Sequence, residues 1–152
     1  MIKPKDRFKL IPACYLLLIK DNKILLSKRK NTGFEDGNYG LVSGHLDGDE
    51  TVRQAMVREA REEINIDIDV NDLEVVHVMH RGGRGRDNER VDFFLTAKKW
   101  SGDIINNEPD KCDDVSWFDL DSLPTNTIGY IKEVINYYND KIFYSENAWG
   151  RI

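Results

Sequence analysis

The chain has 152 residues, enough to close a hydrophobic core, and 40% of them are apolar. Its longest apolar run, Leu10 to Ile19, is half of the roughly 20 residues a membrane helix needs, so a soluble, cytoplasmic protein is expected. A net charge of −5 argues against a nucleic-acid partner, whose binding rests on Lys and Arg displacing counterions. The charge is unevenly spread, however. Residues 1–34 carry nine basic and two acidic side chains, and residues 35–80 carry three and twelve. Residues 81–99 carry six and three, and residues 100–152 carry four and ten. Such blocks suit anion sites set beside cation sites.

In chain order, Ala13–Ile19 and Lys23–Ser27 read as the arms of a hairpin turned at Asp21-Asn22. The stretch 31–38, with Gly33 and Gly37, reads as a loop, and Tyr39–Ser43 as a short strand. Asp49, Glu50 and Thr51 offer the acceptors and negative charge that a helix start favours. A helical pattern then runs to Ile64, where Asn65 suits the left-handed stop. Leu73–His80 and Arg90–Trp100 are expected as strands around the basic, glycine-rich loop 81–89, and Val115–Phe118 as another. The apolar positions Ile128, Ile131, Val134, Ile135 and Tyr138 repeat at helical spacing, which predicts a helix over Ile128–Asn139. The tail from Tyr144 to Ile152 has no clear period and reads as a cover for a sheet edge or a contact with a second subunit. No repeat or linker interrupts the chain, so a single domain over 1–152 is expected. Strands, helix, strands and helix joined by short connections favour a mixed sheet with helices on its faces. Cys14 and Cys112 have no metal-ligand spacing and are expected as reduced thiols. His45 and His80 are assigned no metal.

The helix from Thr51 to Ile64 carries charge where a core belongs. At about 100° per residue, Val52, Ala55, Met56, Ala60 and Ile64 share one arc. Glu59 and Glu63 fall inside that arc and Glu62 lies at its edge. A solvated glutamate face is the ordinary reading of such a run, but here the apolar arc opposes it. Burying these carboxylates without a partner would cost several kcal/mol, so a cationic partner is expected.

The residues in front complete a pattern. Gly44, Glu50, Arg58, Glu59, Glu62, Glu63 and Ile66 stand at the spacing G-x5-E-x7-R-E-U-x-E-E-x-G-U, where U is a bulky apolar residue. This resembles the signature of the Nudix hydrolases. Ala60 departs as a small version of the apolar position, and Asn65 replaces the final glycine; neither touches the charged set. The preceding segment 29–45 and the later Glu108-Pro109 and Trp117–Pro124 also resemble family members. The resemblance spans most of Lys28 to Pro124 and implies the Nudix α/β/α sandwich with a mixed β-sheet.

Members of this family hydrolyse nucleoside diphosphates linked to another moiety, by water attack at phosphorus with divalent metal. The resemblance implies that Glu59, Glu62 and Glu63 bind Mg²⁺, with Mn²⁺ as a substitute, and that the Ser43 carbonyl completes the shell. Oxygen donors suit such hard cations. Arg58 would hold the carboxylates, and Glu50 would pair with an arginine or reach a metal through water. Glu59 or Glu62 would be the general base. Glu108 is the first candidate for a further acid and Asp110 the second.

For phosphate, Arg29 at the end of the second strand is preferred over Lys28 and Lys30, which strand alternation points elsewhere. The loop Arg81–Arg86, with Arg84, is the second candidate, through backbone N–H groups and guanidinium forks, and Tyr39 and Trp117 either stack on a base or, as the commoner role, pack in the core. A nucleoside triphosphate or similar small nucleotide is the expected substrate. A dinucleoside polyphosphate, a nucleotide sugar or a capped RNA end keeps the same chemistry, and a non-catalytic nucleotide sensor is the alternative from another class. A homodimer is compatible with the family.

Overall fold

The computed structural model describes residues 5–83, 85 and 88–148. Its nine strands are β1 (Ile11–Leu17), β2 (Ile19–Lys20), β3 (Lys23–Arg29), β4 (Tyr39–Gly40), β5 (Val42–His45), β6 (Leu73–Arg81), β7 (Arg90–Ala97), β8 (Cys112–Asp119) and β9 (Tyr144–Asn147). Helix α1 spans Val52–Ile64 and α2 spans Gly129–Asn139, and a 3-10 turn at Val70–Asp72 leads into β6. The first sheet runs β5-β1-β7-β6-β9. It is mixed: β1 is parallel to β7 and β6 to β9, while β1–β5 and β6–β7 are antiparallel. The second sheet gathers β2, β4 and β8 around β3, all antiparallel.

The continuous apolar run in β1 follows from its place inside this stack. Ala13, Tyr15 and Leu17 join Met79, Phe94, Ile131, Val134 and Ile135 beneath α2. Cys14, Leu16 and Leu18 join Ala55, Met56, Ala60, Ile64 and Leu95 beneath α1. A strand covered on both faces loses the polar alternation of a half-exposed one. The result is a helix layer on either side of the mixed sheet, the α/β/α sandwich expected from sequence.

The expected elements are present, but the two sheets divide them differently. The hairpin forms with Asp21 and Asn22 at positive φ, yet only Ile19 and Lys20 pair with Ile24 and Lys23. The rest of that arm is taken by β5 and β7, where the apolar pairing is longer. The expected strand Tyr39–Ser43 likewise divides, Gly40 pairing with Ser27 in one sheet and Val42 with Leu16 in the other. Beyond Asn139, residues 144–147 pair with β6 as an edge strand, in keeping with the tail read as a cover for a sheet edge. Buried His77 fastens this strand, with Nδ1 2.7 Å from the Ile142 carbonyl and Nε2 2.7 Å from Ser145 Oγ. Cys14 and Cys112 are both free, and Cys112 is only half-buried.

Helix α1 begins with a reciprocal cap. Thr51 Oγ1 accepts from the Gln54 N–H and Gln54 Oε1 accepts from the Thr51 N–H. The helix ends at Asn65, which adopts φ 64° and returns its N–H to the Arg61 carbonyl. Asn tolerates this left-handed geometry where a residue with an ordinary Cβ is penalised. Asn65→Ala is therefore expected to destabilise the fold by about 1 kcal/mol, read as a lower urea midpoint at unchanged slope.

Candidate active site

The inward arc of α1 meets β5 at Gly44. A Cβ there would lie 2.1 Å from Glu59 Cδ, so only glycine lets the Glu59 carboxylate lie against the strand. Because the clash falls on the end of a flexible side chain, Gly44→Ala is expected to cost little stability while displacing Glu59. Turnover should fall by about tenfold or more with Tm nearly unchanged, a split that a melt and a rate assay together would read.

Arg58 organises the acids. Its Nε and Nη2 donate to Glu50 at 3.3 and 2.8 Å, and Nη1 donates to Glu59 Oε1 at 2.7 Å. Nη2 also reaches the His45 carbonyl at 3.2 Å, with Asp47 3.4 Å away and Glu62 3.5 Å from Nη1. Glu50 accepts the Asp47 N–H as well, and these donors hold its carboxyl below the usual range. Glu50 thus serves Arg58 rather than the start of the helix. Glu63 is anchored separately, its Oε2 accepting the Ser43 N–H at 3.1 Å. Ser43, expected to offer its carbonyl, is seen here offering its N–H.

These carboxylates crowd one another. Burial pushes Glu59 up despite Arg58, with the charges of Glu62 and Glu108 adding. Burial pushes Glu63 well above the usual carboxylate range, and Glu59 and Glu108 add to it. The neighbouring Cys14 thiol is pushed up to about 12, first by burial and then by Glu59, which leaves it unreactive at neutral pH. Glu62 stays 53% exposed.

The carboxylates face a cleft of about 670 Å³ between the two sheets. Its lining includes Glu59, Glu62, Glu63, Ser43, Gly44, Arg29, Lys28, Glu108 and Lys111. The first candidate for the further acid, Glu108, therefore stands with the set from α1. Arg29 is seated by donating Nε to the Phe34 carbonyl at 2.7 Å, and its guanidinium lies 5.5 Å from the Phe34 ring centre. Lys28 lines the cleft too, which strand alternation alone does not lead one to expect; the β3–β8 register slips just beyond it, before Arg29. Lys30 instead pairs with Asp113 at 3.5 Å on the surface.

Two expected residues are not brought to the cleft. Tyr39 donates its hydroxyl to Asp114 at 2.5 Å and packs edge-on to Phe118. Trp117 lies against Trp100, ring centres 6.4 Å apart, beside a separate hollow with Lys20 and Lys23. Arg84 lies outside the described residues, as do Trp149 and the rest of 149–152. Arg81, from the candidate loop Arg81–Arg86, lines the cleft, as do Tyr15, Arg90 and Tyr130, for which the sequence gives no signal. Strand pairing and the packing of α2, rather than any local motif, bring those three there.

The donor set suits a hard divalent cation: carboxylate oxygens crowded together, with Glu63 buried and in no ion pair among the described residues. Among the described residues no three Asp, Glu, His or Cys side chains already stand in metal-binding geometry. The reason lies in the partners they have chosen. Glu59 is drawn onto Arg58 and Glu63 onto Ser43.

Residues 9–137 match the family model described as NUDIX domain, and the chain belongs to this family. It is 35% identical over 147 residues to the ADP-ribose pyrophosphatase of Methanocaldococcus jannaschii, covering 90% of this chain and 82% of that one. It is 31% identical over 120 residues to the NAD-capped RNA hydrolase NudC of Pseudomonas aeruginosa, covering 76% of this chain and 38% of that one. The chain thus spans less than two fifths of the length of that relative. Among solved structures, a MutT NUDIX hydrolase from Burkholderia pseudomallei superposes with a TM-score of 0.76 at 28% identity, over 84% of this chain and 97% of the other. No helix among the described residues is long and apolar enough to cross a membrane.

Proposed function

We propose that this chain is a Mg²⁺-dependent pyrophosphohydrolase of the Nudix family, acting on a nucleoside triphosphate or another small molecule linked to a nucleoside diphosphate. The observation that carries this reading is the carboxylate cluster of α1, ordered by Arg58 and facing the same cleft as Arg29 and Lys28. Acid at one wall and base at the other is what a metal-bridged polyphosphate needs.

Glu59, Glu62 and Glu63 would hold Mg²⁺, with Mn²⁺ as a substitute. When bound, a divalent cation polarises phosphoryl oxygen, acidifies a water and screens the polyanion. Arg29 and Lys28 take phosphate oxygens, Arg29 from a guanidinium already fixed by the Phe34 carbonyl. Arg58 holds Glu59 and Glu50 in one orientation, which limits how far Glu59 swings. Glu62, exposed and only loosely engaged at 3.5 Å, has oxygens free to take a proton from the attacking water. Glu108 faces the same space and is the second candidate for that proton.

The likeness to the ADP-ribose pyrophosphatase, which extends over most of both chains, supports a nucleotide sugar as the second substrate reading. Incubating the chain with Mg²⁺ or Mn²⁺ and a panel of nucleotides separates the two. A nucleoside monophosphate with pyrophosphate is the expected outcome, whereas AMP with ribose 5-phosphate from ADP-ribose alone would replace the first reading by the second. Tight binding of one nucleotide without turnover would make the protein a sensor. The reading includes cytoplasmic placement and action as a single domain on small nucleotides.

A further inference from the structure

Away from the carboxylates, the same cleft contains a buried ion pair that the proposed chemistry does not use. Asp92 on β7 is fully buried, and its Oδ2 accepts Arg81 Nε at 2.8 Å. Arg81, at the end of β6, keeps only 12% of its side chain exposed and lines the cleft. Its Nη2 donates to the Tyr15 hydroxyl at 3.2 Å, and its guanidinium carbon lies 4.2 Å from the centre of the Tyr130 ring. One edge and one face of the guanidinium are thereby fixed. No described residue takes its Nη1 hydrogens, nor the second hydrogen of Nη2, so the end of a rigid planar fork remains for a ligand.

The setting decides what this fork takes. Its charge is already balanced by Asp92, and burial keeps the Tyr15 hydroxyl protonated as a neutral neighbour. A phosphate would gain less here than at Arg29 or Lys28. Arg81 also sits with Tyr15 and Tyr130 on the α2 side of the central sheet, whereas Glu59 and Glu63 extend from α1 on the other side. A nucleotide with its phosphates at the carboxylates therefore presents its other end to Arg81.

We infer that Arg81, seated by Asp92, Tyr15 and Tyr130, is a specificity-determining residue that reads a nucleobase edge carrying two adjacent hydrogen-bond acceptors. Guanine offers O6 and N7 and cytosine offers O2 and N3, while adenine sets a donor beside each comparable acceptor. The inference rests on the triphosphate reading above and deepens it by naming the base class.

The test compares GTP, CTP and ATP with inorganic tripolyphosphate, which has no base, for the parent and Arg81→Lys. Lysine keeps the charge for Asp92 but has no fork. The parent is expected to favour GTP or CTP over ATP by about tenfold or more in kcat/KM. Arg81→Lys should bring the nucleotides to within about twofold of one another, and the favoured nucleotide should lose more than tripolyphosphate does. If Arg81→Lys does not fold, the paired variant Arg81→Met with Asp92→Leu removes both charges together and should show the same collapse of preference. A parent that prefers ATP, a preference surviving both substitutions, or an equal loss on tripolyphosphate would overturn the inference while the hydrolase reading stands. No turnover of any nucleotide by the parent would overturn both.

Discussion

Glu63→Gln is expected to reduce Mg²⁺-dependent turnover by about a thousandfold or more and to leave the metal-free fold at least as stable as the parent. Burial and Glu59 both oppose a negative charge on this carboxylate. Glutamine keeps the shape and an oxygen for the Ser43 N–H at 3.1 Å, but removes the charge. Neutralising that charge relieves the apo protein of a desolvation cost. It also removes a ligand worth several kcal/mol of charge stabilisation to the reaction, at about 1.4 kcal/mol per factor of ten. Thermal melts with and without metal separate the two effects. At a hundred times its Kd, Mg²⁺ should stabilise the parent by about 2.7 kcal/mol. The variant should show little of that gain. Undiminished turnover, or a full metal-induced shift in the variant, would show that Glu63 is not a ligand.

Arg58→Ala is expected to damage stability and activity together. The guanidinium is the shared partner of Glu50 and Glu59 and also touches Glu62, Asp47 and the His45 carbonyl. Removing it leaves Glu59, whose side chain is only 13% exposed, beside other carboxylates with no counter-charge. Breaking a buried pair from one side costs about 3–5 kcal/mol, and the partial exposure of Arg58 places this case near the lower figure. Arg58→Lys tests the geometry instead. An ammonium keeps the charge but cannot reach Glu50 through two nitrogens while also donating to Glu59 and to a carbonyl. That variant should recover most of the stability, measured by urea unfolding, and much less of the turnover. Full recovery of both would reduce Arg58 to a simple counter-ion.

Part of the site was legible because its logic is local. Glu59, Glu62 and Glu63 fall on or beside one helix face through the 3.6-residue period alone, and the reciprocal cap of Thr51 with Gln54 and the left-handed Asn65 fix where that helix begins and ends. Gly44, Glu50 and Arg58 are close enough in sequence for one loop and one helix to join them. Lys28 joins Arg29 in lining the cleft, which alternation along β3 alone does not predict. Of the two roles open to Tyr39 and Trp117, packing takes both, setting Tyr39 on Asp114 and Trp117 on Trp100.

What the sequence determined by itself is therefore a helix with carboxylates on its inner face and the places where that helix starts and stops. These depend on spacings of a few residues, where backbone geometry leaves little freedom. What only the tertiary structure decided is the shape of the space those carboxylates face. The run from Ala13 to Lys20 divides between two sheets, and the tail around Ser145 becomes an edge strand held by His77. Tyr15, Arg81, Asp92 and Tyr130 converge from four separate elements beneath α2. Strand pairing over long separations sets these meetings, and alternation in one strand carries no information about which partner lies beside it.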